Sequence, residues 1–128
     1  IWIRRLLEGA PFEVWGGEQL RDFTYVDDCV EAMLLAASRP EAAGQVFNLG
    51  GPPPLSLQAL AELLVELHGG GRFTTRTYPA DRKKIDIGDF YADGRRIAAA
   101  LGWRPRTSVR VALARTLAFY RKELGRYV

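Results

Sequence analysis

The sequence predicts a mixed α/β domain, a small mixed sheet with helices packed on it. Three observations predict this. Short β-prone runs alternate with longer segments whose apolar residues recur at helical spacing. Gly, Pro or a capping Ser or Asp stands at nearly every junction between them. The chain has 128 residues, 48% of them hydrophobic, which is one domain spanning 1–128 with enough apolar side chains for a core.

The elements follow in order. Residues 1–9 read as the tail of a helix, ended by Gly9 and Pro11. Phe12-Glu13-Val14-Trp15 alternates like a short strand, and Gly16-Gly17 turns it. Arg21 to Tyr25 is a second extended run. Asp27 stands where an N-cap belongs, with Glu31 in the first turns, and Pro40 stops the helix that follows. Val26, Val30, Met33, Leu34 and Ala37 lie on one face of that helix. Gln45 to Leu49 reads as a strand. Ser56 caps the next helix, Leu57, Leu60, Ala61, Leu64 and Leu67 make its stripe, and Gly69 to Gly71 end it. Arg72 to Tyr78 is threonine-rich and β-prone. Residues 79–89 form a charged loop. Asp93 caps a short helix closed by Gly102, and Thr107 or Ser108 caps the last one, with Ala112, Leu113, Leu117, Tyr120 and Leu124 on its apolar side. Trp103 is expected to anchor the last two helices.

Charge and composition exclude several classes. The formal net charge is +3, and arginine supplies 15 of the 18 basic residues. These arginines are scattered among acids, and no basic tract alternates with aromatics, so a nucleic-acid surface is not indicated. No apolar run approaches the roughly 20 residues of a membrane helix. Ile1-Trp2-Ile3 precedes Arg4-Arg5, the reverse of a secretory leader. The single Cys29 cannot form an internal disulfide and fits a cytoplasmic location. The chain opens without Met on an amphipathic run, which reads as a piece of a longer protein.

Catalytic motifs are missing. None of the glycine groups gives G-x-G-x-x-G after a strand, the turn that lets backbone N–H groups approach a pyrophosphate. No tyrosine has a lysine four residues on. His68 is the sole histidine, at a helix end, and is expected on the surface. No group of residues has zinc or calcium spacing.

Six short motifs in order nevertheless carry a resemblance. They are Val14-Trp15-Gly16, the run Arg21-Asp22-Phe23-Thr24-Tyr25-Val26-Asp27-Asp28, Val46-Phe47-Asn48-Leu49-Gly50, Ser56-Leu57, Leu101-Gly102-Trp103-Arg104-Pro105 after Asp93, and Tyr120 near the last helix end. Together they resemble the C-terminal half of the NAD-dependent epimerase/dehydratase family, the extended short-chain dehydrogenases. The 81–91 loop resembles its UDP-glucose 4-epimerase-like branch. The resemblance implies that the chain is the nucleotide-sugar-binding part, that the Rossmann lobe holding NAD is absent from it, and that it is inactive by itself. It implies a parent enzyme that epimerises or dehydrates a UDP-sugar through a 4-keto intermediate, with its catalytic tyrosine and its NAD in the other half.

The resemblance also implies site residues. Arg21 matches an arginine that grips the substrate diphosphate. Arg82 matches a second one, a role that Lys83 fills equally well. Glu13 and Trp15 lie on the strand that passes along the nucleotide base, largely through backbone groups. Gln19 stands where relatives contact sugar or phosphate. Charge-assisted bonds from separate loops suit a diphosphate because they fix its orientation as well as its position. The alternative for Arg21 is a surface ion pair with Asp22, Asp27 or Asp28. No catalytic residue, metal ligand or cofactor ligand is expected on this chain. The expected partners are a nucleotide sugar and, for the parent, a second copy in a homodimer; the uncovered face at Val30, Met33 and Leu34 predicts self-association of the chain alone. Two other readings stand beside this one: a non-catalytic binding or regulatory relative that keeps only this half, and a basic nucleic-acid-binding module.

Overall fold

The computed structural model describes residues 1–79 and 86–127. Helix α1 (Trp2–Leu7) leads into strand β1 (Phe12–Trp15). A two-residue strand β2 (Leu20–Arg21) precedes helix α2 (Val26–Ser38), which a 3-10 turn at Pro40–Ala42 follows. Strand β3 (Leu55–Ser56) runs directly into helix α3 (Leu57–His68), and strand β4 (Phe73–Arg76) comes next. Helices α4 (Arg95–Leu101) and α5 (Val109–Glu123) complete the chain.

The sheet is mixed and divided. β1 and β4 pair in parallel, Phe12 opposite Phe73 and Trp15 opposite Arg76. β2 and β3 pair antiparallel, and a parallel bridge joins Arg21 to Phe90. The parallel pair is covered by helices, as such pairs require. Leu6, Phe12, Val14, Ala61, Leu64 and Leu117 form one core between α1, β1, α3 and α5. The alternation of β1 explains its share: Phe12 and Val14 point inward while Glu13 points to solvent. A second, smaller core joins Ala32 of α2 to Ile97 of α4 and to Trp103.

The caps show how local sequence sets these boundaries. Ser56 Oγ accepts from Ala59 N at 3.1 Å, and Gly69 ends α3 in the left-handed region at φ 85°. Ser108, rather than Thr107, caps α5 through Val111 N. The cap position of α4 is Gly94 rather than the expected Asp93 and carries no side-chain capping bond; Asp93 Oδ1 accepts from Arg95 N at 2.9 Å just before the helix.

Three further sequence expectations need correction. Asp27 is not the cap of α2: the N-cap position is Tyr25, with no side-chain capping bond, and Asp27 lies in the first turn. Asp28 instead turns inward, 5% exposed. Its Oδ2 accepts from Arg106 N and Thr107 N at 3.2 and 3.0 Å, and its Oδ1 from Thr107 Oγ1 at 3.0 Å. Residues 45–49 form no strand, because no described segment offers them a ladder; Phe47 and Leu49 pack on the second core instead. Trp103 anchors α2 to α4, not α4 to α5: its indole Nε1 donates to Asp28 O at 3.1 Å. The apolar face of α2 is uncovered, as the sequence leads one to expect. Val26, Val30, Met33 and Leu34 are exposed, and the helix buries only its Asp28 and Ala32 line.

Candidate functional site

The Gly16-Gly17 turn at the end of β1, the end of β4 and the start of the 86–90 segment enclose a polar cleft of about 670 Å³. Gly16, Gln19 and Tyr78 form its floor, with Arg76, Glu18, Asp86 and Asp89 around it. Its position follows from topology. β1 and β4 run parallel and in register, so the residues that leave both strands emerge at the same end.

Gln19 organises that end. Its side chain is buried at 7% exposure. Its Oε1 accepts from Gly17 N at 2.7 Å, while Nε2 donates to Trp15 O at 2.9 Å and to Tyr78 Oη at 3.1 Å. Tyr78 leans against Trp15, ring centroids 6.3 Å apart and tilted by 47°. Gly16 has φ 74°, and a Cβ there would meet Gln19 Oε1 at 2.8 Å and Tyr78 Cε2 at 2.9 Å. Only glycine fits that corner.

The other sequence-predicted residues are distributed around this cleft. Glu13 and Trp15 turn their N–H groups to the edge away from β4, since Phe12 N and Gly16 N bond to Arg72 O and Arg76 O. The Glu13 carbonyl on that edge accepts from the indole of Trp2 at 2.9 Å. The Glu13 carboxylate points to solvent and pairs with Arg76 at 3.0 Å. Arg21 lies beside the cleft rather than in its lining. Its guanidinium donates to Leu20 O at 2.8 Å and to Gly88 O, and meets Asp86 Oδ1 at 3.5 Å. Its ionic partner is therefore Asp86, not Asp22, Asp27 or Asp28. Asp22 is engaged elsewhere, accepting from Gly51 N and Ala92 N, both at 3.1 Å. Arg82 and Lys83 lie outside the described residues. Asp89 accepts from Leu20 N at 2.8 Å and so fastens the 86–90 segment to β2. The fold thus brings Trp15 and Gln19 together and links Arg21 to the cleft through Asp86.

Sequence reasoning missed Tyr78 and Arg76 as parts of the site. The available signal was the pairing of β1 with β4: once Trp15 stands opposite Arg76, Tyr78 falls two residues on, at the same end.

A second groove, about 550 Å³, runs between the start of α2 and α5. Its lining is mainly apolar and includes none of the predicted site residues. Among the described residues no group of three or more His, Cys, Asp or Glu is placed to hold a metal ion. No described helix is long and apolar enough to cross a membrane.

Comparison with known proteins matches this fold. The sequence model of the NAD dependent epimerase/dehydratase family matches residues 1–50. The chain belongs to that family. It is 34% identical to UDP-D-apiose/UDP-D-xylose synthase 1 of Arabidopsis thaliana over 89% of this chain and 33% of that protein. It is similar to the solved structure of the UDP-glucose 4-epimerase of Thermotoga maritima with UDP-glucose, with TM-score 0.79 and 30% identity over 96% of this chain and 38% of that one. It is likewise similar to the dTDP-glucose 4,6-dehydratase of Streptomyces venezuelae with NAD and TYD bound, with TM-score 0.83 and 26% identity over 97% of this chain and 38% of that one. The chain thus spans about a third of the length of the curated relatives it matches. Its fold is that of extended short-chain dehydrogenase enzymes.

Among the described residues neither glycine pair opens a helix. Gly16-Gly17 leads from β1 into β2, not into a helix. Gly50 and Gly51 serve internal packing: a Cβ would meet Ala92 O at 2.9 Å at the first and Phe23 backbone at 2.8 Å at the second. Gly51 N already donates to Asp22 Oδ2 at 3.1 Å.

Proposed function

We propose that this chain provides the nucleotide-sugar-binding part of an epimerase or dehydratase, and that the cleft at the end of β1 and β4 receives the nucleotide end of the substrate. Family membership supports the substrate class. The observation that carries the assignment of the cleft is Arg21, whose guanidinium spans from β2 to Gly88 and Asp86.

The Arg21–Asp86 pair is long at 3.5 Å, and both side chains are about a fifth exposed. Oxygens of a diphosphate offer the planar fork shorter, charge-assisted bonds, each worth about 1.5–3 kcal/mol. Arg82 or Lys83 supplies the second cation in this reading. The edge of β1 away from β4 offers the backbone N–H groups of Glu13 and Trp15 to the base, their carbonyls already accepting from Trp2 and Gln19. Binding of this kind contributes to rate by holding the reacting sugar carbon in place. The redox chemistry, its NAD and its catalytic residues are assigned to the part of the protein that the relatives carry beyond the matched third. The reaction is epimerisation or dehydration of the sugar, in a parent that is a cytoplasmic homodimer.

The test is a titration of the intact natural protein with UDP-, GDP- and dTDP-sugars, repeated with Arg21→Ala. A loss of affinity of tenfold or more for the preferred nucleotide sugar is expected. Unchanged kcat/KM in that variant would remove Arg21 from the site.

A further inference from the structure

The hydrogen bonds of Gln19 leave no freedom in how its amide is oriented. Gly17 N can only donate, so the atom facing it is Oε1. Trp15 O can only accept, so the atom facing it is Nε2. The second hydrogen of that nitrogen then goes to Tyr78 Oη. Tyr78 is thereby an acceptor toward Gln19, and its own proton is directed elsewhere. The ring lines the cleft and is half-buried.

The chemistry around it complements this. Glu18, Asp86 and Asp89 contribute acceptors to the same cleft. Arg76, the cationic donor among the described lining residues, is held by Glu13 at 3.0 Å. The neutral hydroxyl donors of the lining are Thr75, Thr77 and Tyr78; of these, Tyr78 has its oxygen occupied by the Gln19 amide, which directs its proton away from residue 19. Gly16, with no room for a Cβ between Gln19 and Tyr78, keeps the amide and the ring in contact.

We propose that Tyr78 donates a hydrogen bond to a neutral oxygen of the bound nucleotide sugar, and that Gln19 is its positioning residue rather than a ligand contact. This rests on the cleft being the nucleotide-sugar site. Gln19 has spent both amide hydrogens on protein acceptors, so it contributes by fixing the direction of the Tyr78 proton.

The experiment uses the intact natural protein and calorimetric titration with UDP-, GDP- and dTDP-sugars. Tyr78→Phe removes one oxygen and should raise Kd about 2- to 12-fold, the range for one neutral hydrogen bond. Gln19→Glu replaces the donor by an acceptor, so the Tyr78 proton turns back to residue 19 and Kd should rise similarly. The double variant should be no weaker than the weaker single one. The 13Cζ resonance of Tyr78 should shift on ligand addition in the wild type and stay fixed in Gln19→Glu. Unchanged Kd in Tyr78→Phe would overturn the ligand contact. Fully additive losses would overturn the action of Gln19 through Tyr78. If the wild type binds none of the sugars, the reading of the cleft itself falls, and this inference with it.

Discussion

Asp28 is the sharpest test of how this fold is held. Its buried carboxylate takes three hydrogen bonds from Arg106 and Thr107, and its backbone carbonyl takes the Trp103 indole. Asp28→Ala leaves two backbone N–H groups and one hydroxyl without their acceptor. An unpaired buried donor costs about 1–3 kcal/mol. These three are partly buried, so water recovers some of that, and a total of about 3 kcal/mol is expected. Asp28→Asn keeps the shape: the amide oxygen can serve both N–H groups, and its nitrogen can donate to Thr107 Oγ1. Only charge assistance is lost, about 1 kcal/mol. Thr107→Val removes one of the three bonds, again about 1 kcal/mol. Urea unfolding should therefore order the variants as wild type, then Asn and Val together, then Ala, with the slope m unchanged. Equal midpoints for Asn and Ala would refute the reasoning, because they would show that the hydrogen bonds Asn preserves contribute nothing to stability. An Ala variant within about 0.5 kcal/mol of wild type would refute it more directly.

Three further outcomes are expected. Gly16→Ala should lower thermal stability and abolish nucleotide-sugar affinity together, since the Cβ would intrude on Gln19 and Tyr78 in a left-handed turn; a variant that keeps both would show the corner to be loose. Arg95 holds the Asp93 carboxyl down at about 2 through side-chain and backbone hydrogen bonds. A carboxylate lowered in the folded state stabilises above its unfolded pKa of about 3.9 and loses that contribution as pH falls through about 2, so the Asp93 13Cγ shift should titrate near 2 and move upward in high salt. The Cys29 thiol is raised above its ordinary value by burial first and by the Asp28 carboxylate second. The pH midpoint of its iodoacetamide alkylation should therefore lie above that of a free cysteine peptide and fall partway back in Asp28→Asn.

The sequence made some parts of this molecule legible and hid others for identifiable reasons. Helix α3 was readable to the residue because its stripe, its Ser56 cap and its Gly69 end are all local. Strand β1 was readable from alternation, but its parallel partner was not, since a pleated pattern does not name its neighbour. Asp27 and Asp28 carry the same local signal at a helix start; which of them turns inward depends on Arg106 and Thr107, far along the chain. The motif around Arg21 was legible as a local pattern, but not its contacts. Its partner Asp86 and the Gln19–Tyr78 contact became visible only when β1 and β4 were brought together.

Parallel pairing of Phe12–Trp15 with Phe73–Arg76 has a consequence for folding as well as for recognition. The two walls of the cleft are contributed by stretches that meet only after a long loop has closed, an entropic cost met late on the folding path. On the proposed reading of the cleft, a chain with α3 formed but β4 undocked has no place for a nucleotide. Occupancy is therefore linked to the global transition, and ligand at a hundred times its Kd should add roughly 2.7 kcal/mol to it. The melting midpoint thus doubles as a concentration-dependent test of whether the cleft takes the proposed nucleotide.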